Sequence, residues 1–80
     1  MMTRKGMLWM AAITDRQAFE IALKHAGVQE KDTSRQEIEL DYENGKQVYE
    51  VGFHVGKMEY DYDIDASTGD VLKYEIEQDD

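Results

Sequence analysis

Carboxylates recur at every second position in the stretch DYDIDASTGD, which begins at Asp61. Asp61, Asp63 and Asp65 match the opening ligand positions of an EF-hand calcium loop. The rest of that loop is missing, because Ala66 and Leu72 stand where an EF-hand needs a glycine and a bidentate glutamate. Calcium binding of the EF-hand type is therefore not predicted. Two interpretations of the stretch remain: a catalytic carboxylate cluster and the outer side of a strand.

Strand geometry argues against a tight metal site in this stretch. In an extended chain, alternate carboxylates on one side lie about 6.8 Å apart, twice the rise per residue, so they line up without converging on one ion. The acidic positions are therefore interpreted as the polar face of a strand. Any calcium binding is expected to be no tighter than about millimolar. The weak metal candidates are Asp61, Asp63, Asp65 and Asp70.

Other side chains with catalytic potential are scattered along the chain. His25 falls on the flank of a predicted helix and His54 on the outer face of a predicted strand, so both are interpreted as surface residues. Ser34 and Ser67 have no local His and Asp neighbours, and a triad would have to be assembled in space. The chain has no cysteine, and its glycines form no phosphate-binding loop. The sequence predicts neither an enzyme nor a cofactor.

Acidic charge is concentrated in the second half of the chain. The 80 residues carry a net charge of -9 and are enough for one small domain. Residues 1–40 hold six basic and six acidic residues, whereas residues 41–80 hold twelve acids and three lysines. Nucleic acid and anionic membranes are poor partners for such a surface. The excess charge either keeps the domain soluble or steers a basic protein partner toward it.

One amphipathic helix is predicted in the first half, in the segment ITDRQAFEIALKHAGV. Thr14 and Gln17 have the spacing of a capping box, and Gly27 supplies the left-handed stop. Between them lies one broad apolar stripe, which a helix would bury against a sheet. The stripe consists of Ala18, Phe19, Ile21, Ala22, Leu23 and Ala26.

From Glu37 onward the hydrophobic period changes from 3.6 to 2, which predicts four strands. Turns are predicted at Asn44-Gly45, at Gly56-Lys57 and in ASTGD. The fold class is therefore α+β, with one N-terminal helix packed on one face of a four-stranded antiparallel β-meander. Inward positions of the strands are Ile38, Leu40, Tyr42, Tyr49, Val51, Phe53, Val55, Met58, Tyr60, Tyr62, Ile64, Leu72, Tyr74 and Ile76. The predicted core is Phe19, Leu23, Val51, Phe53, Tyr60 and Tyr62.

The opposite face of the sheet is predicted to be acidic and open to solvent. A basic protein partner would meet its carboxylates first, and the alternative is recognition through an edge strand. A third hypothesis is a cation-responsive structural domain that uses the aspartate row. The predicted partner-binding residues are Glu50, Glu59, Asp61 and Asp63.

Three segments, AFEIALKHAGV, VYEVGF and YDYDIDASTGDVLKYEIE, together resemble a PepSY domain. The resemblance covers Ile13 to Ile76, and its strongest elements are Ala18, Ala22, Leu23, Ala26, Gly27, Tyr49, Glu50, Val51, Asp65, Gly69 and Leu72. It implies a non-catalytic regulatory or inhibitory module of bacterial proteins, usually secreted or in the cell envelope. Such modules occur beside thermolysin-like peptidases as part of an inhibitory propeptide, so a peptidase is one implied partner.

Three regions are predicted: an apolar segment at 1–12, the PepSY-like domain at 13–77 and an acidic tail at 78–80. The apolar run from Met7 to Met10 is not periodic, so one buried face cannot take it all. It either lengthens the helix by a turn, packs beside the sheet, forms a homodimer contact or is foreign to the domain. An edge strand is the other possible dimer contact. The run is too short for a membrane span, and no export signal or anchor is predicted.

Overall fold

The computed structural model describes residues 12–78, which form one helix followed by a four-stranded antiparallel sheet. The strands lie side by side in chain order, so the predicted α+β meander is confirmed. The predicted Met7 to Met10 contact lies outside the described residues. The elements are α1 (Asp15–Ala26), a 3₁₀ turn (Glu30–Asp32), β1 (Ser34–Glu43), β2 (Lys46–Val55), β3 (Met58–Asp65) and β4 (Val71–Gln78).

Both predicted ends of α1 are confirmed by the hydrogen bonds of their capping residues. The Thr14 hydroxyl accepts from the Gln17 N–H at 3.0 Å, and the Gln17 side chain accepts from the Thr14 N–H at 2.8 Å. These reciprocal bonds satisfy amides that the first helical turn leaves unpaired. At the other end, Gly27 has φ 74° and donates to the carbonyls of Leu23 and Lys24. The helix is thus fixed at both ends by local sequence.

The core lies between α1 and the central strands. Five of the six predicted core residues are buried: Phe19, Leu23, Val51, Phe53 and Tyr62. The sixth, Tyr60, is half-buried and stacks on Phe53 with ring centroids 4.9 Å apart. The apolar face of the helix therefore packs against the apolar face of the sheet, as predicted.

The two edge strands are covered much less than predicted. Leu40 and Tyr42 on β1 are 47% and 68% exposed, and Tyr74 and Ile76 on β4 are 50% and 44% exposed. A helix about 10 Å wide covers about two strands spaced 4.8 Å apart, and this sheet has four. The apolar side chains at the edges thus lie on the helix side without being buried by the helix.

A bulge at the start of β4 changes the role of Leu72. Cross-strand pairing passes from Asp63 and Lys73 to Ile64 and Val71, which leaves Leu72 without a register partner. Val71 packs against the core in its place, and Leu72 is 46% exposed. The prediction that Leu72 faces inward was wrong, because the extra residue reverses the alternation at that point.

Two residues of the family-like motifs have clear structural roles. Tyr49 is buried, and its hydroxyl donates to the Ile13 carbonyl at 2.9 Å, which ties the chain before α1 to β2. Gly69 has φ 84°, and its N–H donates to the Asp65 carbonyl at 2.8 Å. Since left-handed backbone disfavours side chains with a Cβ, glycine is the natural residue in this turn.

Candidate protein-binding site on the acidic sheet face

The open face of the sheet brings together three of the four predicted partner-binding residues. Glu50 lies directly opposite Asp63, and the next row pairs Gly52 with Asp61. Glu59 lies one row further along, opposite His54. The carboxylates of Glu50, Asp61 and Asp63 therefore surround Gly52. Glu59 lies at the margin of this carboxylate group.

A depression of about 320 Å³ lies over Gly52 on this face. A Cβ at position 52 would lie 3.2 Å from Oδ1 of Asp61, so the missing side chain opens the space. A glycine inside a strand often marks a close approach by a ligand or another backbone. The charged lining residues are Glu37, Glu39, Glu43, Glu50, Asp61, Asp63, Glu75 and Lys73.

The sequence analysis did not predict the depression, although a glycine at a polar position of β2 was a signal for it. Gly52 occupies a polar-phase position of β2, where the neighbouring positions of the same face carry Glu50 and His54. Glu37 and Glu75 line the depression only because β1 and β4 flank the two central strands, β2 and β3. Sequence alone does not specify that lateral arrangement.

Partial burial beside other carboxylates raises the pKa of two acidic residues on this face, Glu50 and Asp61. Burial raises the pKa of Glu50, and hydrogen bonding and charge from Asp41 raise it further. Burial also raises the pKa of Asp61, with a further contribution from the charge of Glu75. Both directions follow from partial desolvation of a carboxylate beside other carboxylates. A cation placed over the depression would relieve this repulsion.

Asp65 departs from the open aspartate row and closes the β3–β4 turn instead. The side chain is buried, and its Oδ1 accepts from the backbone N–H of Ser67 at 2.8 Å and of Thr68 at 3.2 Å. Lys46 Nζ lies 3.4 Å from Oδ2. The Ser67 amide is the main cause of a lowered pKa for Asp65. The Asp65 carboxylate is thus already occupied by turn amides and Lys46.

Asp65→Asn is expected to destabilise the domain more than Asp63→Asn at neutral pH, because only Asp65 accepts the turn amides. A lowered native pKa means that the ionised carboxylate stabilises the fold above its usual pKa of 3.8. That contribution disappears as the pH falls through the lowered native pKa. Urea unfolding at neutral and at strongly acidic pH measures both effects. Equal losses for the two variants at neutral pH would contradict the assignment.

The remaining metal candidates do not share one site, because Asp61 and Asp63 line the depression and Asp70 follows the β3–β4 turn. Asp63 faces Lys73 across the β3–β4 pair, with Nζ and Oδ2 4.0 Å apart, and the Asp70 side chain is exposed beside the turn. Weak cation binding by Asp61, Asp63 and Asp70 stays a prediction. A different set of carboxylates has oxygens within 4.8 Å of one another: Asp41, Glu43 and Glu50.

His25 makes contacts on the helix side of the sheet. Its Nδ1 lies 3.0 Å from the Tyr62 hydroxyl, and its ring centroid lies 4.7 Å from that of Tyr74. The imidazole of His25 therefore links α1 to two stacked tyrosine rings of the sheet, Tyr62 and Tyr74. These contacts indicate a packing role for His25, which is exposed at the surface as the sequence predicted.

Ser34 and His54 are brought together by the sheet, which sequence spacing could not show. They are register partners in β1 and β2, and Glu59 faces His54 from β3. Ser34 is exposed and Glu59 is half-buried, whereas the acid of a working triad is buried. The row resembles a triad in composition without its sheltered acid. The other serine, Ser67, lies in the β3–β4 turn, where its backbone N–H donates to the Asp65 carboxylate.

These features define a small α+β domain with a helix on one sheet face and carboxylates on the other. The sequence model described as "Peptidase propeptide and YPEB domain", PepSY, matches residues 12–75. The chain therefore belongs to the PepSY family, as the sequence motifs predicted. Domains of this family are generally non-catalytic propeptide or regulatory modules.

A relative with a longer chain also matches. The chain is 41% identical over 61 residues to an uncharacterized protein of Streptococcus pyogenes serotype M6, Spy1430. The match covers 76% of this chain and 47% of the relative, so the matched region spans about half the relative's length. No solved structure matches. Among residues 12–78, no helix has the length and apolar character needed to cross a membrane.

Proposed function

We propose that this domain is a non-catalytic regulatory or inhibitory module that acts outside the cytoplasm by binding a protein partner. Membership of the PepSY family supports the class of function. The acidic sheet face is the proposed contact surface, and a basic segment of the partner is the proposed ligand. A peptidase is the partner class that the family description suggests.

The crowded carboxylates around Gly52 are the observation on which the surface assignment rests. Seven acidic residues and one lysine line the depression, and the pKa values of Glu50 and Asp61 are raised. Burial is the main cause of these raised values, and repulsion from neighbouring carboxylates adds to it. A cationic group that arrives over the depression relieves the repulsive part. Electrostatic complementarity of this kind chiefly accelerates association and selects the partner's charge.

The open face also offers the partner a stable platform. Gly52 lies in the central strand β2, which pairs along its length with β1 and β3. The carboxylates around it belong to four strands of one sheet, so their spacing is set by the backbone ladder. A partner side chain that enters the depression would meet a backbone that needs no rearrangement, which limits the entropy cost of binding.

The double variant Asp61→Lys, Asp63→Lys is expected to slow association with a native partner several-fold at low salt. The deficit should shrink as salt rises, because screening limits the reach of exposed charges to about 8 Å at physiological ionic strength. Association rates from stopped-flow or surface plasmon resonance over a salt series measure this. The partner is obtained by capture with the full chain from the secreted proteins of the source organism.

A matched control carries the same change in charge away from the sheet. Glu20 and Asp32 are exposed residues of α1 and the 3₁₀ turn, and Glu20→Lys with Asp32→Lys should leave association much closer to the parent. If the sheet variant associates at the parent rate while Glu39→Pro or Glu75→Pro abolishes binding, recognition belongs to a sheet edge.

The same surface can be tested before the partner is known. A short lysine-rich peptide should shift amide NMR signals around Gly52, Asp61 and Asp63, and an acidic peptide of the same length should not. A calcium titration of the same sample tests the cation-responsive alternative, which requires saturable shifts at these positions. Slower substrate cleavage by a thermolysin-type metallopeptidase in the presence of the chain would support the inhibitory form of the proposal.

A further inference from the structure

The two edges of the sheet differ in charge pattern. On the acidic face, the β1 edge carries only acids from Glu37 to Glu43, at every second position. A second β1 strand paired antiparallel with this stretch would therefore place acid against acid. The β4 edge differs because Lys73 precedes Glu75 and Glu77 on the same face. The charge pattern thus disfavours self-pairing at the β1 edge, whereas the β4 edge has a register in which a lysine lies opposite an acid.

We propose that two copies of this chain pair antiparallel through β4, about a two-fold axis at Glu75. The two four-stranded sheets then form one continuous sheet, with both helices on the same face. A two-fold axis perpendicular to the sheet produces this arrangement and closes the assembly at a dimer. The proposal concerns a second copy of this chain and does not require the partner of the acidic face, although Lys73 and Glu75 also line the depression over Gly52.

The bulge at Leu72 selects the register of this pairing. Regular pairing in β4 begins at Lys73, so an axis at Glu75 places Lys73 opposite Glu77 twice, inside the regular strand. An axis at Tyr74 would require the irregular residues before Lys73 to pair. An axis at Ile76 would place Glu75 opposite Glu77 twice, which is repulsive. Charge and regularity together favour the axis at Glu75, whose cost is a single Glu75 pair.

The apolar side of β4 fits the same register. Tyr74 and Ile76 are 50% and 44% exposed, and the proposed axis places each opposite the other in the second copy. Tyr74 is already held by ring contacts with His25 at 4.7 Å and with Tyr62 at 5.5 Å. Its orientation is therefore largely set before association. The pairing would bury four exposed apolar side chains, two from each copy. It would also give hydrogen-bond partners to the backbone groups along one edge of each sheet.

Glu77→Lys is the first variant to test, because it places lysine opposite lysine across the axis. Within its own sheet position 77 faces Glu59, so the new lysine meets an acid and the fold is not threatened. The dimer should weaken about tenfold or more, since two attractive cross-strand pairs become repulsive. Sedimentation velocity of the full chain over a concentration series, at about 0.15 M salt to limit long-range repulsion, measures the change.

A charge swap identifies the register. Lys73→Glu alone should also weaken the dimer, and Lys73→Glu with Glu77→Lys should restore it. Glu39→Lys on β1 changes the net charge as Glu77→Lys does and should not weaken the dimer. In a mixed sample of labelled and unlabelled chains, isotope-filtered NMR should show contacts between the Tyr74 ring and the Ile76 methyl groups of different copies.

Three results would overturn the proposal. The parent chain could remain monomeric at the highest concentrations used for NMR. Alternatively, Glu77→Lys and Glu39→Lys could have the same effect on the dimer, which would assign association to net charge. Finally, Lys73→Glu with Glu75→Lys could restore the dimer where the proposed swap does not, and the axis would then lie at Tyr74.

Discussion

Phe19→Ala is expected to lower the free energy of unfolding by about 3–5 kcal/mol. Phe19 is 1% exposed, and its ring meets Phe53 edge-on with centroids 6.0 Å apart. Truncation to alanine removes the largest side chain that α1 contributes to the core. Small domains are typically stable by only 5–15 kcal/mol, and the low end applies to a chain of this size. The variant is therefore expected to be partly unfolded under mild conditions.

Urea denaturation followed by circular dichroism measures this loss, with two comparison variants. Leu23→Ala, on the same buried stripe, should cost about 2–5 kcal/mol. Leu40→Ala removes an apolar side chain that is 47% exposed on β1, away from the proposed dimer edge, and should cost about 1 kcal/mol or less. Similar losses for Phe19→Ala and Leu40→Ala would contradict the packing of α1 on the central strands.

Gly69→Ala is expected to cost about 2–4 kcal/mol for two separable reasons. Gly69 has φ 84°, where a side chain strains the backbone, and its new Cβ would lie 3.2 Å from Cδ1 of Ile21. Gly27 provides a matched comparison, with φ 74° and open space around the added Cβ. Gly27→Ala should therefore show the backbone cost alone, about 1–2 kcal/mol.

A double-mutant cycle separates the two contributions. Ile21→Val removes the Cδ1 atom, so in this background the cost of Gly69→Ala should fall toward that of Gly27→Ala. Thermal or urea unfolding of the four variants supplies the coupling energy. A cost for Gly69→Ala that does not change in the Ile21→Val background would show that α1 does not press on the β3–β4 turn.

Local sequence determined the elements of this fold. The capping box at Thr14, the stop at Gly27 and the hairpin at Asn44 act on their immediate neighbours and need no tertiary information. The change of hydrophobic period from 3.6 to 2 separates the helix from the strands. The aspartate row was likewise assigned to a strand face, because the required ligands of a calcium loop are missing from its fixed positions.

Tertiary structure alone decided how completely each apolar side chain is covered and which polar groups share a site. Alternation tells on which side of the sheet Leu40 and Ile76 lie, but coverage depends on the width of one helix against four strands. A one-residue bulge turned Leu72 away from the core, and no local sequence pattern predicts this bulge. The depression over Gly52 requires carboxylates from four strands, so it exists only once the strand order and register are set, because lateral neighbours in a sheet are distant in sequence.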